Sequence, residues 1–459
     1  MTRFGLLAVV LLATVLALPL ASEDLGDSYH QTAKRLIDAA LEDSSGYARL
    51  AELCDKVGNR LGGSPGLEHA VEWSVAQMKA VGLENVARIP AKVPHWVRGH
   101  EQAAIVEPVK KPLTILGLGG SVATPKAGVT APVAVVSSFD DLDKRGRKAI
   151  EGKIVLFNVP YQGYGKTVAY RMAGASRAGR LGAVAALVRS VTPISLQSPH
   201  TGAMDYEANV PKIPTAAVTI EDAEMIQRLT DSGAEVRVHL EMEARTLPDA
   251  DSADVIGEIP GREHPEEVVV IGGHLDSWDV GQGAQDDGSG IMTALAAANL
   301  IHKLGLQPRR TLRVVFWTNE ENGGAGSKAY REWVGSKIHD HVAAIEMDGG
   351  AEKPVGFGFS GSNAAMDKVQ QAGALLESIG AGAVQRGGGG ADIAPLMHDG
   401  VPGLGLRTVG THYFDWHHSQ ADTVDKVDPH DFRLNVASMA VMAYALAEMP
   451  ERLPSNAVQ

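Results

Sequence analysis

Residues 268–290 read VVVIGGHLDSWDVGQGAQDDGSG, and residues 311–322 read TLRVVFWTNEEN. Each begins as an apolar run of strand length and ends in polar residues, the pattern of a buried strand delivering side chains to a sheet edge. His274, Asp276, Asp286, Glu320 and Glu321 therefore stand at or just beyond strand ends. Histidine and carboxylates gathered there, in a chain with a single cysteine, suit a hydrolytic metal site. A structural zinc knot normally uses thiolates.

The same alternation extends outward. VIGEIPG (255–261) precedes the first strand, and the helical run SGIMTALAAANLIHKLG (289–305) separates it from LRVVFW. AGSKAYREW (325–333) is a second helical run, followed by the strand VAAIEM (342–347), after which comes Asp348. Strands alternating with helices, several apolar on both faces, predict an α/β domain with a largely parallel mixed sheet flanked by helices. The last helix is predicted to open at Asp428-Pro429, an N-cap followed by proline at the first helical position.

Upstream, ARLAELCDKV (48–57) and GLEHAVEWSVAQMKAVGL (66–83) have helical periodicity, and a Pro-spaced extended stretch runs to about Pro108. The single Cys54 shares a helix face with Leu50, Leu53 and Val57, which points to a buried, inert thiol. Residues 117–246 differ. APVAVVSS, GKIVLFNV, VAALVRS, IPTAAVTI and EVRVHLEM are short strand-like runs among Gly, Pro and Asp turns. ASRAGRLGA and EDAEMIQRL read as short helices among them, and ARTLPDADSAD (244–254) as a polar linker. The expected organisation is a catalytic domain of residues 22–116 and 247–459, interrupted by a β-rich insert at 117–246.

At 459 residues the chain has room for two or three units. A net charge of −13, with no basic run, argues against a nucleic-acid or anionic-membrane partner. Arg3, the apolar stretch Phe4 to Leu20 and the small Ala21 resemble a secretory signal peptide over residues 1–21. A membrane anchor is the competing reading, since about 17 apolar residues lie at the lower edge of a spanning length. Pro19 and Ala21 favour cleavage, hence a secreted or periplasmic protein. One cysteine rules out an intramolecular disulfide framework.

Taken singly, each motif has a bland explanation. His-x-Asp occurs in many loops, Glu-Glu is commonly a solvated pair, and Asp-Asp-Gly-Ser-Gly can be a capped helix start, a role open to Asp287. Together, at three successive strand ends, they converge. In open α/β sheets, ligands collect beyond the carboxyl ends of the strands.

The string GGHLDSWDVGQGAxDDGxG, then WTxEE, then a strand ending in Met-Asp, then HHSxxDT resembles the di-zinc aminopeptidase-like metallopeptidases. The resemblance covers nearly the whole chain beyond the signal peptide. It includes the spacings: twelve residues from His274 to Asp286, 27 from Glu321 to Asp348 and 70 from Asp348 to His418. It implies a zinc-exopeptidase fold with a protease-associated insert, two Zn²⁺ per chain, a peptide substrate and a homodimer. It further implies that Asp286 bridges the ions, with His274 and Asp348 completing one site and Glu321 and His418 the other. Glu320 becomes the general base and Asp276 the support for the His274 imidazole. His418 stands four residues before Asp422, where the family has its ligand; His417 takes the position that contacts the substrate carbonyl oxygen.

Physics makes these roles compatible. Three carboxylates nearly neutralise two divalent ions, and a non-ligating glutamate can move the proton of the attacking water. The expected activity is hydrolysis of dipeptides or short peptides with unblocked termini. The alternatives are a general aminopeptidase on the same scaffold and a receptor-like binding protein without metal. QRGGGGADIAPL (385–396) is either a loop beside the cleft or a surface loop. Trp278, Tyr413, Phe414 and Trp416 either line a pocket or pack in the core. Arg386 and Arg407 read as surface-paired rather than substrate-binding, and His412 as either a loop residue or one that supports a ligand from behind.

Overall fold

Residues 26–455 are described by a computed structural model, so the signal-peptide assignment lies outside the described residues. The strands Glu84–Val97 and Arg245–Ile259 pair antiparallel along most of their length, from Glu84 opposite Glu258 to Val97 opposite Arg245. Everything between Val97 and Arg245 projects from the end of this ribbon. The segment read as a polar linker is therefore a strand. Its first half, Arg245 to Asp251, is exposed or half-buried on both faces, which is why it is polar, and only its second half enters the core.

The ribbon begins an eight-stranded sheet. Arg310–Trp317, His264–His274, His341–Glu346, Gly403–Thr408, Pro354–Ser360 and Ala383–Arg386 follow Arg245–Ile259 in spatial order. Arg310–Trp317, His264–His274, His341–Glu346 and Gly403–Thr408 run parallel. Antiparallel pairings join both outer parts, so the sheet is mixed, and parallel strands dominate only its centre. That centre is where the apolar runs VVVIGG and LRVVFW lie, buried on both faces.

Helices Ser289–Lys303 and Pro429–Glu448 pack on each other and on these central strands. Both are buried over most of their length, which explains their Ala-rich sequences: small side chains let two helices and a sheet approach closely. Asp428 caps the second helix, accepting from the N–H groups of His430 and Asp431 at 2.7 and 3.0 Å, with Pro429 in its first turn. Cys54 is buried in Ser45–Lys56, and burial pushes its thiol up to about 12.

The second sheet also has eight strands, with Val129–Val136, Ile154–Phe157, Ala185–Arg189 and Thr215–Val218 parallel at its centre. It takes in Glu101–Glu107, Lys111–Leu113 and Ile115–Gly117, which the sequence reading left in the first unit. Nothing local in these short runs shows which sheet they join, because their partners Arg237–Met242 and Thr215–Val218 lie far along the chain. The sheet carries helices Phe139–Ile150, Tyr164–Arg180 and Ile220–Asp231. The first went unpredicted because only Leu142 and Ile150 are buried in it. Among the described residues no helix is long and apolar enough to cross a membrane.

Candidate metal centre

In strand His264–His274 two glycines precede the terminal histidine because no side chain fits there. A Cβ on Gly272 would lie 2.0 Å from the Val315 carbonyl oxygen, and one on Gly273 would lie 2.0 Å from Asp287 Oδ2. Asp287 fills the space: its carboxylate accepts from the N–H of His274 and from that of Gly290, both at 3.1 Å. The second bond is the helix-start role that the Asp-Asp-Gly-Ser-Gly motif suggested. The first ties the helix start to the strand end, fixing where His274 emerges.

Asp286 is held from the far end of the chain. Asp422 Oδ1 accepts from the N–H groups of Ala284 and Gln285 at 3.1 and 2.7 Å, and its Oδ2 from that of Asp286 at 3.2 Å. Arg60, fully buried, donates to the carbonyls of Leu275, Gln282 and Gly283, gathering both ends of the intervening loop. Neither residue received a role from the sequence. Asp422 was marked only by its place in the HHSxxDT string, and Arg60 lies in an unremarkable NRLGG turn.

Asp276 is fully buried, and its carboxylate faces the next strand end. Oδ1 accepts from the Glu320 N–H at 2.9 Å and Oδ2 from the Glu321 N–H at 3.3 Å. The His274 imidazole is supported by the main chain of the same residue: Nδ1 lies 3.0 Å from the Asp276 carbonyl oxygen and 3.7 Å from Oδ1. The expected support thus comes through the carbonyl, and the carboxylate orients the two glutamates.

With these restraints the predicted residues meet. His274 Nε2 lies 3.2 Å from Asp286 Oδ1 and 3.5 Å from Asp348 Oδ1. His418 Nε2 lies 3.2 Å from Asp286 Oδ2 and 3.0 Å from Glu321 Oε2. His417 stacks on His418 with ring centroids 3.5 Å apart, its Nε2 3.6 Å from Asp286 Oδ2. Glu320 borders the same cavity, of about 330 Å³, together with Asp286, Glu321 and Asp348. Tyr164 and Arg171 from the inserted unit close its other side, two residues the sequence did not single out.

Burial and like charge act strongly here. Burial, then Asp348 and Glu321, push Glu320 up to about 9. Burial alone would lower His418, but Glu321 and Asp286 raise it to about 10. His274 is likewise raised well above the usual imidazole range by Asp286 and Asp348 against its burial. Against its own burial, Asp286 is held well below the carboxylate range by His274 and His418. Burial and the neighbouring His418 keep His417 neutral, well below its ordinary value.

The donors fit metal ions. Glu321 Oε1 is buried and accepts no hydrogen bond among the described residues, an expensive state for a carboxylate without a cation, and the buried Asp286 Oδ2 faces only the Nε2 atoms of His418 and His417 at 3.2 and 3.6 Å. Ligand atoms of His274, Asp286 and Glu321 come within 4.8 Å of one another, as do those of Asp286, His417 and His418 and those of His274, Asp287 and Asp348. Imidazole and carboxylate without thiolate suit a catalytic zinc centre.

The other expectations sort by position. Tyr413 and Phe414 line the cavity. Trp278 is buried with its ring 5.6 Å from that of His418, and Trp416 stacks on the exposed His412. Arg386 binds the Gly361 carbonyl and Asn363, and Arg407 binds Gln385, so both are paired away from the cavity. The glycine run has no regular structure, and a Cβ on Gly390 would overlap the buried Glu346 carboxylate, two residues before Asp348.

The profile of Peptidase family M28 matches residues 254–443. Carboxypeptidase Q of Bos taurus is 46 % identical over 431 residues, 93 % of this chain and 91 % of that protein. The crystal structure of a peptidase M28 precursor from Shewanella amazonensis SB2B superposes with a TM-score of 0.91 at 35 % identity, covering 93 % of this chain and 98 % of that one. A zinc aminopeptidase from Bacillus subtilis shares the fold at a TM-score of 0.65 and 19 % identity, over 89 % of this chain and 98 % of its own.

Proposed function

The chain belongs to peptidase family M28 and is a zinc exopeptidase, and from that premise we propose that it hydrolyses dipeptides or short peptides with free termini at a centre of two zinc ions. The observation carrying this reading is the carboxylate of Asp286, whose two oxygens each face a different histidine at 3.2 Å. A carboxylate used from both sides is what a pair of like-charged ions needs between them. His274 and Asp348 would hold one ion, Glu321 and His418 the other. When bound, the ions polarise the scissile carbonyl and acidify the attacking water.

The chain's own groups do the rest. Glu320, oriented through its main chain by Asp276, takes the water's proton and returns it to the leaving amine. His417, neutral and beside the cavity, donates to the developing oxyanion. Tyr164 and Arg171 roof the cavity from the protease-associated-like insert and exclude bulk water. At about 330 Å³ the space sits at the small end of ligand pockets, roughly 300–1,000 Å³, which favours a dipeptide over a long chain. Carboxypeptidase Q as the similar protein favours reading the carboxyl end. The N-terminal segment supports export, and a homodimer is part of the same reading.

A matched panel of free, N-blocked and C-amidated dipeptides tests the substrate. Full-rate cleavage of N-blocked peptides by the zinc-loaded enzyme would defeat the dipeptidase reading. A zinc content of one ion per chain in the active enzyme would defeat the two-ion centre.

A further inference from the structure

The strip of chain carrying His417 and His418 is held from outside its own sheet. Thr192 Oγ1 donates to the Phe414 carbonyl at 2.7 Å. His200 Nδ1 lies 2.6 Å from the His417 carbonyl oxygen, and since a carbonyl only accepts, Nδ1 carries the proton. The Thr201 N–H donates to the His418 carbonyl at 2.9 Å. In return, His418 Nδ1 lies 3.3 Å from the Thr201 carbonyl oxygen, which also accepts from Arg171 Nη1 at 3.3 Å. Thr192, His200 and Thr201 are all buried and all belong to the inserted unit.

These bonds fall where they control one residue's backbone. His418 has φ +59°, a left-handed conformation that a side chain with a Cβ seldom adopts. Such a residue persists only where its surroundings over-determine it. The peptide before His418 carries the His417 carbonyl, and the peptide after it carries the His418 carbonyl. Fixing both carbonyls fixes φ and ψ. His200 fixes the first, and is itself anchored: its N–H donates to Ser190 Oγ at 3.0 Å, and Ser190 Oγ donates to the Val218 carbonyl of strand Thr215–Val218 at 2.8 Å.

We propose that His200 of the inserted unit is a positioning residue for catalysis: its Nδ1–H bond to the His417 carbonyl holds His418 in the conformation that aims Nε2 at Asp286 and Glu321. The inserted unit then completes the metal centre and is not a separable accessory. This rests on the reading of His418 as a zinc ligand.

The test uses the full-length protein, with zinc affinity measured by competition against a chromogenic chelator and kcat and KM measured on a dipeptide. His200→Phe keeps a ring but removes the donor; His200→Asn keeps an N–H close to the position of Nδ1. The expected result is that His200→Phe weakens the more labile zinc by about 10–100-fold, the usual effect of losing a hydrogen bond behind a ligand. It lowers kcat more than it changes KM, and His200→Asn restores both. Parental zinc affinity in folded His200→Phe, or equal loss in both variants, overturns the proposal. Should His200→Phe not fold, His200→Gln replaces it, since a glutamine amide reaches the Nε2 position and misses the carbonyl; the same ordering against His200→Asn decides. Because the comparison is variant against parent, a parent holding one zinc defeats the two-ion reading without blurring this one. A parent binding no zinc overturns both.

Discussion

The main-chain N–H of Glu320 donates to Oδ1 of Asp276 at 2.9 Å, 44 residues away along the chain. Glu321 makes the companion bond to Oδ2 at 3.3 Å, so one buried carboxylate sets the directions of both the proposed base and a proposed ligand. Two strand ends are thereby locked to each other. Asp276→Asn presents an amide donor to one of these N–H groups and leaves it unsatisfied. The expected outcome is a loss of about 10–100-fold in kcat/KM, measured on enzyme whose zinc content has been confirmed. Unchanged kcat/KM would show that the glutamates need no such support.

Among the described residues Glu320 joins none of the clusters that could hold a metal, and it borders the cavity, which separates its role from that of Glu321, 3.0 Å from His418. Glu320→Ala should lower kcat by about 10²–10⁴-fold with zinc content preserved by elemental analysis. Near-parental turnover in that variant would remove Glu320 from the mechanism.

Asp286 faces both histidine sets, so its loss should differ in kind. Asp286→Ala is expected to lower bound zinc as well as activity, and added zinc should restore neither. A variant retaining the parental zinc content would argue that Asp286 does not bridge.

Metal removal exposes the electrostatics. In metal-free protein, Glu320 is raised to about 9 by burial and its acidic neighbours, and His418, against its burial, to about 10 by Glu321 and Asp286. Unfolded values are about 4.3 and 6.5. The folded state therefore binds more protons than the unfolded one between those limits, and stability falls as pH rises. The His418 contribution is complete below about pH 6.5 and lost by about pH 10; that of Glu320 is lost by about pH 9. His200 and His341, lowered by burial to about 3 and about 4, act only at lower pH. Calorimetry of chelator-treated protein should show Tm falling from pH 7 to pH 9, with zinc flattening the slope. A Tm that rises over this interval without metal would contradict the assignment.

Arg60 is buried and bonded to the carbonyls of Leu275, Gln282 and Gly283. Arg60→Met strands those oxygens without partners and should cost about 3 kcal/mol or more in denaturant unfolding. A change below about 0.5 kcal/mol would mean that water replaces the guanidinium without penalty.

Much of the catalytic unit was legible because its strands carry strong signals. VVVIGG and LRVVFW are apolar on both faces, and each hands a short polar motif to the same sheet edge. The outer ribbon was harder to read. Arg245–Ile259 begins with alternating charged residues and a proline, which in isolation look like linker, and only pairing with Glu84–Val97 makes them a strand. Glu101–Glu107 was misplaced because its partner, Arg237–Met242, lies 130 or more residues away.

The sequence by itself determined which groups could do the chemistry. Residue type and order at successive strand ends point to His274, Asp276, Asp286, Glu320, Glu321 and Asp348, because period and composition are local properties; His418 entered only through the resemblance of HHSxxDT to a family pattern. The tertiary structure alone decided what holds them in place. Asp422 on the Asp286 loop, the Asp276 carboxylate on the two glutamates, and His200 and Thr201 on the histidine strip are contacts between segments far apart in the chain. Hydrogen bonds of that kind leave no periodicity in the sequence, since any polar residue brought to the right distance by the fold can make them.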